Sequence, residues 1–592
     1  MLQNIQLYFL IIACLAKAQM EFPSRILNDL KVELGYESIL LLQNSSDCWI
    51  DLKAISETPI INLNANQEYT LRSQFKRRFL ALVCVEYENS TVLNALYTNL
   101  ENMRDTATIF MINHRIDFQA LLRNCLKNRM LNVLAIATWS PGHIYSYRAF
   151  PRFTMVKRSI WQVERYFEPQ LKDMGGYPIV TMADNVFPRT VVYKDAQGHY
   201  QLFGYLTTFM ENFAKTLNAT LKISWDQKPR DNEVVKTKKI TRLINTGTVD
   251  IPAIIINIAL DPDFLNYSHV MEISKWQLML PLESEIDRAS LVFGGGSRLL
   301  CVVGLGFMYL FALLLHNINR LELGMAPSAW CLGALTDPVL RAMLYQTILM
   351  PRRPSLRLKY TYMLLLLCSF VCYNTYISQL ETILVYPLTK PPIRSYQDMR
   401  RVGLKVMLAD PDKRAMLNAI GQHVLSTNWD LHELVDSAVF QAMRCLPNAS
   451  YAYPVTQTMW PFIERKFARQ IRAPFRLSKD FTLLSLVPFA IPLSNDSIYH
   501  QALNRYILDT HASGLYAFWY RQNYYKLLSI GKTEELPYNN FRSNCLLSWT
   551  DLYYLWLIYI CNVCLSLVIF AFELLMRKQL VSNGDKSNKT KE

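Results

Sequence analysis

Three polar residues recur at every fourth position inside the apolar segment Tyr362–Leu384. Asn374, Ser378 and Thr382 fall at i, i+4 and i+8, so on an α-helix they share one face. A polar side chain inside a membrane span is costly and normally faces a bundle interior or a water-filled path. This spacing therefore suits the lining of a path for ions. The alternative is that the span ends near Cys372, which would place the same residues among lipid headgroups.

The elements that must position these residues are membrane helices. Long apolar segments lie within 298–316, 358–383 and 551–576, and about 20 residues at 1.5 Å each cross a hydrocarbon core. A shorter apolar segment within 338–351 is bounded by prolines and contains Gln346. Its length predicts a re-entrant loop or a core helix instead of a crossing.

The distribution of basic residues supports three crossings. The loop 316–359 holds six Lys or Arg residues against two acidic ones, and the tail 577–592 begins with Arg577-Lys578. Both are expected on the cytoplasmic side. Residues 1–18 resemble a signal peptide, with a core helix as the alternative, and a signal peptide would place the following residues outside. Three crossings then bring the C-terminus inside.

Composition bounds the class of protein. The chain has 592 residues, 51% of them hydrophobic, and a net charge of +14, which predicts a membrane protein with several domains. No nucleic-acid motif is present, and nucleic acid is not an expected partner. His432-Glu433 lacks the second His of a zinc HExxH motif, and no GxSxG occurs. No catalytic residue, metal site or cofactor is therefore predicted.

The segments outside the membrane have the pattern of α/β lobes. In the first half, Gly204-Tyr205 opens a helical pattern and Thr220–Trp225 reads as a strand. In the second, the stretch Pro391–Met399 precedes a strand, and Ser494–Ser497 precedes a helix. Short strands that alternate with amphipathic helices indicate an α/β fold.

This order of elements resembles that of the ionotropic glutamate receptors, and the chain is similar to their divergent insect branch, the chemosensory ionotropic receptors. The family's gate helix ends in the motif SYTANLAAFLT, and Cys372–Thr382 resembles a degenerate copy of it. In that alignment the gate-lining positions fall on Asn374, Ser378 and Thr382. The resemblance covers about 175–578.

The resemblance implies a fold and a function. The two extracellular segments would form a bilobed, periplasmic-binding-protein-like α/β clamshell above an all-α channel domain with three spans and a re-entrant pore loop. Closure of the clamshell on a small-molecule ligand would open a cation pore in a heterotetramer with co-receptor subunits of the same family. The chain would serve in taste or smell, in the plasma membrane of sensory-neuron cilia or dendrites, with membrane lipid around it. A disulfide between Cys445 and Cys545 is also implied.

One departure from the family bears on the ligand. Glutamate receptors hold the ligand carboxylate with an Arg after a central strand, but the stretch 256–263 has no Arg or Lys. A free amino acid is therefore not the expected ligand. The candidate ligand-binding residues are Ile256, Asn257, Asp261 and Asp436. For the isoleucines, ordinary core packing is the alternative, and for Asp436 a role as a surface carboxylate.

Glycosylation tripeptides accompany the predicted exterior. They begin at Asn44, Asn89, Asn218, Asn266, Asn448 and Asn495. Pairing of Cys48 with Cys84 is a further hypothesis for the oxidising exterior. Besides the channel, two functions remain open: a non-conducting receptor or assembly partner, motivated by the weak family similarity around Gln346, and a membrane-anchored hydrolase.

The predicted organisation follows from these patterns. Its segments are 1–18 signal peptide, 19–174 N-terminal extracellular region, 175–297 first ligand-binding segment, 298–316 first span, 338–351 pore loop, 358–383 gate helix, 390–550 second ligand-binding segment, 551–576 last span and 577–592 cytoplasmic tail.

Overall fold

Two compact units make up the chain in a computed structural model. The residues that the structure describes are 25–44, 58–66, 69, 71–73, 78–86, 91–140, 142–229, 235–258, 266–284, 286, 295–326, 337–350, 353–385, 389–410, 413, 427–470, 473–535 and 553–588. The first unit comprises Met1–Pro281, Ser395–Ala468 and Pro474–Leu536, and the second comprises Leu282–Arg394, Arg469–Ala473 and Pro537–Glu592.

A seven-stranded sheet in the order β2-β1-β3-β4-β5-β6-β7 forms the N-terminal domain. Strands β1 to β5 are parallel, and β6 and β7 are antiparallel. The strands are β1 Ser38–Gln43, β2 Ile60–Asn64, β3 Phe79–Val85, β4 Thr108–Ile112, β5 Val133–Ala137, β6 His143–Arg148 and β7 Thr154–Ser159. The helices are 25–34, Thr91–Asn99 and Phe118–Lys127.

Both faces of this sheet are covered. Leu40 and Leu42 pack with the helix Thr91–Asn99 on one face, whereas Ile39 and Leu41 pack with the helix 25–34 on the other. This arrangement explains why the strands are almost continuously apolar, as is usual for parallel strands. The region 19–174, to which the sequence assigns no role, thus contains a three-layer α/β domain.

Two small sheets and two helices follow the N-terminal domain. Strand β8 pairs with β11 in parallel, and β9 pairs with β10 antiparallel. The bounds are β8 Pro178–Thr181, β9 Val191–Lys194, β10 Tyr200–Phe203, β11 Thr220–Ile223 and helices Tyr205–Thr216 and Thr237–Asn245. The helix after Gly204 and the strand from Thr220, both predicted from the sequence, are present.

A six-stranded sheet in the order β12-β17-β13-β16-β14-β15 joins residues from the two halves. At its centre, β13 and β17 form a long antiparallel pair, here called the ribbon. The strands are β12 Ile256–Asn257, β13 Glu272–Pro281, β14 Lys405–Ala409, β15 His432–Val435, β16 Tyr451–Thr456 and β17 Phe475–Ala490. The helices are Tyr396–Val402, Ser437–Cys445, Trp460–Lys466, His500–Ala512 and Leu515–Ser529. The α/β class predicted from the sequence is confirmed by these sheets.

Short 3-10 helices complete the first unit. They are Leu71–Ser73, Ile160–Gln162, Gln170–Lys172, Trp225–Gln227 and Trp429–Leu431.

In the part of the second unit that the structure describes there are four helices, Gly295–Glu322, Asp337–Met343, Leu356–Val385 and Tyr553–Asn588. Three of them are apolar and long enough to cross a membrane, over Val302–Glu322, Leu356–Gln379 and Trp556–Met576. Three such helices were predicted from the sequence at these places. The helix Asp337–Met343 has only seven residues, or about 10 Å, which is too short to cross.

The short helix packs between the first two long ones. Val339 and Ala342 are buried against Phe311 of the first long helix and Leu365 of the second. The next residues, 346–350, are not helical. A short helix followed by an irregular segment is the geometry that membrane proteins tolerate where protein surrounds the backbone.

Candidate functional site

The polar stripe predicted from the sequence lies on one uninterrupted helix, Leu356–Val385. Asn374, Ser378 and Thr382 are all exposed. The Asn374 amide donates to the Phe370 carbonyl at 2.8 Å, and the Thr382 hydroxyl donates to the Ser378 carbonyl at 2.8 Å. These bonds occupy one donor of Asn374 and the donor of Thr382 within the helix itself.

Gln346, the candidate from the pore loop, follows a tight turn. Its backbone N–H donates to the Arg341 carbonyl at 2.8 Å, and its side chain is exposed. The preceding Tyr345 has φ 56°, and its ring stacks on Tyr373 with centroids 5.0 Å apart. Because Tyr373 precedes Asn374, the structure brings the loop and the polar stripe to neighbouring positions.

Of the candidate ligand-binding residues that the structure describes, Ile256 and Asn257 form one edge strand of the six-stranded sheet, and Asp436 directly follows the opposite edge strand. Ile256 and Asn257 form β12, which pairs with Ala490 and Phe489 of β17. Asn257 is buried, as expected of a sheet residue. Asp261 lies outside the described residues.

Asp436 has a structural function that accounts for its carboxylate. It is exposed, and it caps the helix Ser437–Cys445 by accepting the Ala438 N–H at 3.0 Å. This bond satisfies one of the free N–H groups of the first helical turn. The alternative of a surface carboxylate therefore agrees with the geometry.

A buried charged cluster beside β12 was missed by sequence reasoning. Arg189 donates to the Ile255 carbonyl at 3.4 Å, and its guanidinium lies over the Phe489 ring, 4.5 Å from the centroid. Glu272 is buried at the start of β13 and accepts the Tyr205 hydroxyl at 2.7 Å. The Tyr516 hydroxyl donates to the same carboxylate oxygen.

Burial and neighbouring charges shift the pKa values of Arg189, Tyr205 and Tyr516 in this cluster. Burial alone would lower the pKa of Arg189, but Tyr205, Glu272 and Asp184 outweigh it and raise that pKa. Burial, and then the Glu272 carboxylate, raises the pKa of Tyr205 far above its usual value. The same two causes, in the same order, raise the pKa of Tyr516. The tyrosines therefore stay protonated and act as donors.

Asp184 completes the cluster. Burial raises the pKa of its carboxyl, against the opposing effects of the Thr190 hydroxyl and Arg189. The Thr190 hydroxyl donates to Asp184, which also accepts the Val186 N–H at 3.3 Å. Two acidic side chains thus lie near one guanidinium and favour its charged form. The one sequence signal for this cluster was an Asp and an Arg five residues apart in an apolar stretch.

Aromatic residues extend from this cluster and connect the two halves. The rings of Phe187 and Phe462 meet edge to face with centroids 6.1 Å apart, and Phe462 meets Tyr520 at 4.9 Å. Tyr520 in turn lies 5.4 Å from Tyr205. Its hydroxyl donates to the Thr458 carbonyl.

Two cations lie against these rings. Lys466, almost fully buried, lies 5.5 Å from the Phe187 ring centroid and donates to the Cys445 carbonyl at 3.3 Å. Arg465 lies 5.3 Å from the Tyr524 ring centroid. Such contacts are attractive because the ring face carries partial negative charge.

The predicted covalent features need two corrections. Cys445 carries a free thiol, so the disulfide expected between it and Cys545 is not formed; Cys545 itself lies outside the described residues. Cys84 is disulfide-bonded, while its suggested partner Cys48 is also outside them. Asn266 is only 6% exposed and its amide is hydrogen-bonded, so the fold has no room for a glycan there.

The other glycosylation tripeptides remain predictions. Asn44, Asn218, Asn448 and Asn495 are exposed, and Asn89 lies outside the described residues.

Across the residues that the structure describes, no group of three or more His, Cys, Asp or Glu side chains could hold a metal ion.

Neither a family model nor a curated protein matches this chain in sequence comparisons.

Proposed function

We propose that this chain is a subunit of a ligand-gated cation channel of the chemosensory ionotropic receptor type. One observation carries the proposal: an apolar helix long enough to span a membrane exposes Asn374, Ser378 and Thr382 along one face. The apolar window of that helix, Leu356–Gln379, includes the first two of these residues and ends before the third. This is the placement expected for the outer end of a pore helix.

Energetics favours an assembly around this stripe. Polar groups in lipid are costly, so the stripe would face other subunits or water. In a tetramer of this chain and co-receptor subunits, the gate helices would surround one axis, and the polar stripe would line the pore along it. The short helix Asp337–Met343 and the loop with Gln346 would then enter the membrane from the inner side and narrow that path.

The ribbon and the two sets of sheets on either side would form the clamshell. A ligand would bind between the halves, and closure would pull the segments that connect them to the spans. The cations around the aromatic cluster are already engaged: Arg189 by Asp184 and Glu272, and Lys466 by a carbonyl and the Phe187 ring. This supports a ligand recognised through aromatic and uncharged polar contacts instead of a free carboxylate.

The proposed site of action is the plasma membrane of sensory neurons, in their cilia or dendrites. Taste and smell remain equal alternatives for the sense involved. Both follow from the family resemblance of the gate segment.

Substitution of the stripe tests the proposal. Ser378→Leu should abolish agonist-evoked currents in cells that carry the chain with co-receptor subunits. Tyr376→Leu is the matched control, because Tyr376 is exposed but lies about 160° around the helix from the centre of the stripe. Equal surface expression must be verified for both variants. Equal currents from both variants and the wild type would refute the gate.

Gln346→Arg separates the channel from the alternative function. In a conducting pore an added cation at this loop should reduce cation permeability. If no pore substitution changes any current while the chain still promotes assembly of its co-receptors, the chain is instead a non-conducting receptor or assembly partner.

A further inference from the structure

The two strands of the ribbon come together at one end, here called its root. Leu493, just after β17, donates its N–H to the carbonyl of Asn266, just before β13, at 2.9 Å. Tyr267 and Pro492 form a β-bridge beside this bond. The chain that enters the ribbon and the chain that leaves it are thus paired at the root.

The N-terminal domain binds the root through the buried side chain of Asn266. Arg72 donates to its amide oxygen at 2.5 Å. The Asn266 NH₂ group donates to Asn102 Oδ1 at 2.7 Å and to Asn495 Oδ1 at 2.5 Å. The oxygen and nitrogen of one side chain, 6% exposed, are therefore both bonded to the N-terminal domain, and the nitrogen also to the other segment of the root.

A second group of contacts engages Asp496. Its carboxylate accepts the Asn102 N–H and forms an ion pair with Arg104 at 3.3 Å, where the two side chains are only 16% and 10% exposed. Arg129 donates to the Ser494 hydroxyl at 2.6 Å.

Two further bonds extend this contact along the same turn. Arg129 also donates to the Asn495 carbonyl at 3.2 Å, and Gln501 donates to Asp105. Together these contacts form a seam, whose members are Arg72, Asn102, Arg104, Asp105 and Arg129 on the N-terminal domain and Asn266, Ser494, Asn495, Asp496 and Gln501 at the root.

We propose that the seam fixes the root of the ribbon to the N-terminal domain, so that residues 25–174 act as a brace against which the rest of the sheet moves. Within the closed seam, loss of one partner would cost the buried Asn266 amide or the Asp496 carboxylate one of its bonds without giving it water in exchange, which is unfavourable. Beyond the root, β13 pairs with β16 over Trp276–Met279. Bending of the ribbon would therefore move the second-half strands relative to a fixed N-terminal domain.

The brace gives the N-terminal domain a regulatory role. A weaker seam would let the root follow the bending ribbon, so less of the movement would reach the channel. This regulatory consequence rests on the proposed channel function, whereas the docking of the domain does not.

Hydrogen exchange on the full-length chain in detergent micelles tests the docking. Asp496→Asn removes the charge but keeps a side chain that tolerates the φ of 59° at this position. We expect amide exchange to rise about tenfold both in 101–105 and in 493–501, because opening of the seam exposes both sides together. Arg104→Gln should have the same effect, and the double variant should add little to either.

The matched control is the exposed ion pair Arg505–Asp509, whose side chains are 86% and 69% exposed. Arg505→Gln should leave exchange in both segments unchanged. Where Asp496→Asn prevents folding, Gln501→Ala provides a milder disruption at the edge of the seam with the same expected pattern. A rise on only one side of the seam, or none on either side, would overturn the brace.

Current recordings then separate the two proposals. If the seam variants raise exchange but leave agonist-evoked currents unaltered, the docking is right and its regulatory role is wrong. If exchange rises and no variant or wild-type chain conducts, the channel proposal fails while the docking remains.

Discussion

Glu272→Gln should destabilise the packing of the helix Leu515–Ser529 against the first half. The Glu272 carboxylate accepts hydroxyls from Tyr205 and Tyr516 and faces Arg189. Hydrogen bonds to a charged acceptor contribute about 1.5–3 kcal/mol and neutral ones about 1 kcal/mol. Loss of charge at two such bonds therefore costs about 1–3 kcal/mol. The substitution also removes one of the two acidic groups near Arg189, which raises the expected loss of stability to about 2–4 kcal/mol.

Native-state hydrogen exchange of the helix Leu515–Ser529 measures this loss as a lower free energy of opening. Tyr516→Phe removes one hydroxyl and should cost about 1–2 kcal/mol. Tyr525→Phe is the control on the same helix, because Tyr525 is 65% exposed and should change little. An opening free energy for Glu272→Gln equal to that of the wild type would show that the cluster contributes no net stability.

Three further predictions follow from single positions. Burial raises the pKa of Asp184 above its usual 3.8, so the contribution of this group to stability increases as the pH falls from 7 toward that value. In Asp184→Asn this contribution is absent, and Tm should therefore increase less, or decrease more, between pH 7 and about pH 4 than in the wild type. Gly204→Ala should abolish surface expression because its Cβ would lie 2.0 Å from the Arg189 carbonyl oxygen. Gly198→Ala meets no atom within 4 Å and bears only the backbone strain of its φ of 84°, about 1–2 kcal/mol, so it should still be expressed. Asn266→Gln should leave the mass of the glycosylated chain unchanged, but Asn448→Gln, at an exposed site, should reduce it by one glycan on a denaturing gel.

Features that depend on neighbouring residues could be predicted from the sequence. The three long apolar segments are helices because every backbone group in lipid must be bonded within its own segment. The strand Thr220–Ile223 and the helix Tyr205–Thr216 follow from local periodicity and from the glycine before the helix. The spacing of Asn374, Ser378 and Thr382 likewise requires only helical geometry to place them on one face.

Features that depend on distant residues could not. Glu272 influences Arg189 electrostatically only because β13 and the turn after Phe187 meet in space, and no local pattern encodes that encounter. The tripeptide at Asn266 carries no information on its burial in the seam. Cys445 ends a helix with a free thiol, although its place in the family resemblance suggested a bond.

The ribbon is the element on which these observations converge. Its first residue, Glu272, anchors the charged cluster, and Ser274 accepts the Thr458 N–H at 3.2 Å, next to the aromatic contacts between the halves. Its root is bonded to the N-terminal domain in the seam, and the middle of β13 pairs with the second-half strand β16. The two strands of the ribbon also carry the rest of the six-stranded sheet, because β13 pairs with β16 on its other side and β17 pairs with β12. If the chain is the proposed channel, a ligand that brings the halves together would have to bend the sheet at this ribbon, and substitutions along β13 should alter the response more than equally conservative substitutions on the exposed helix faces.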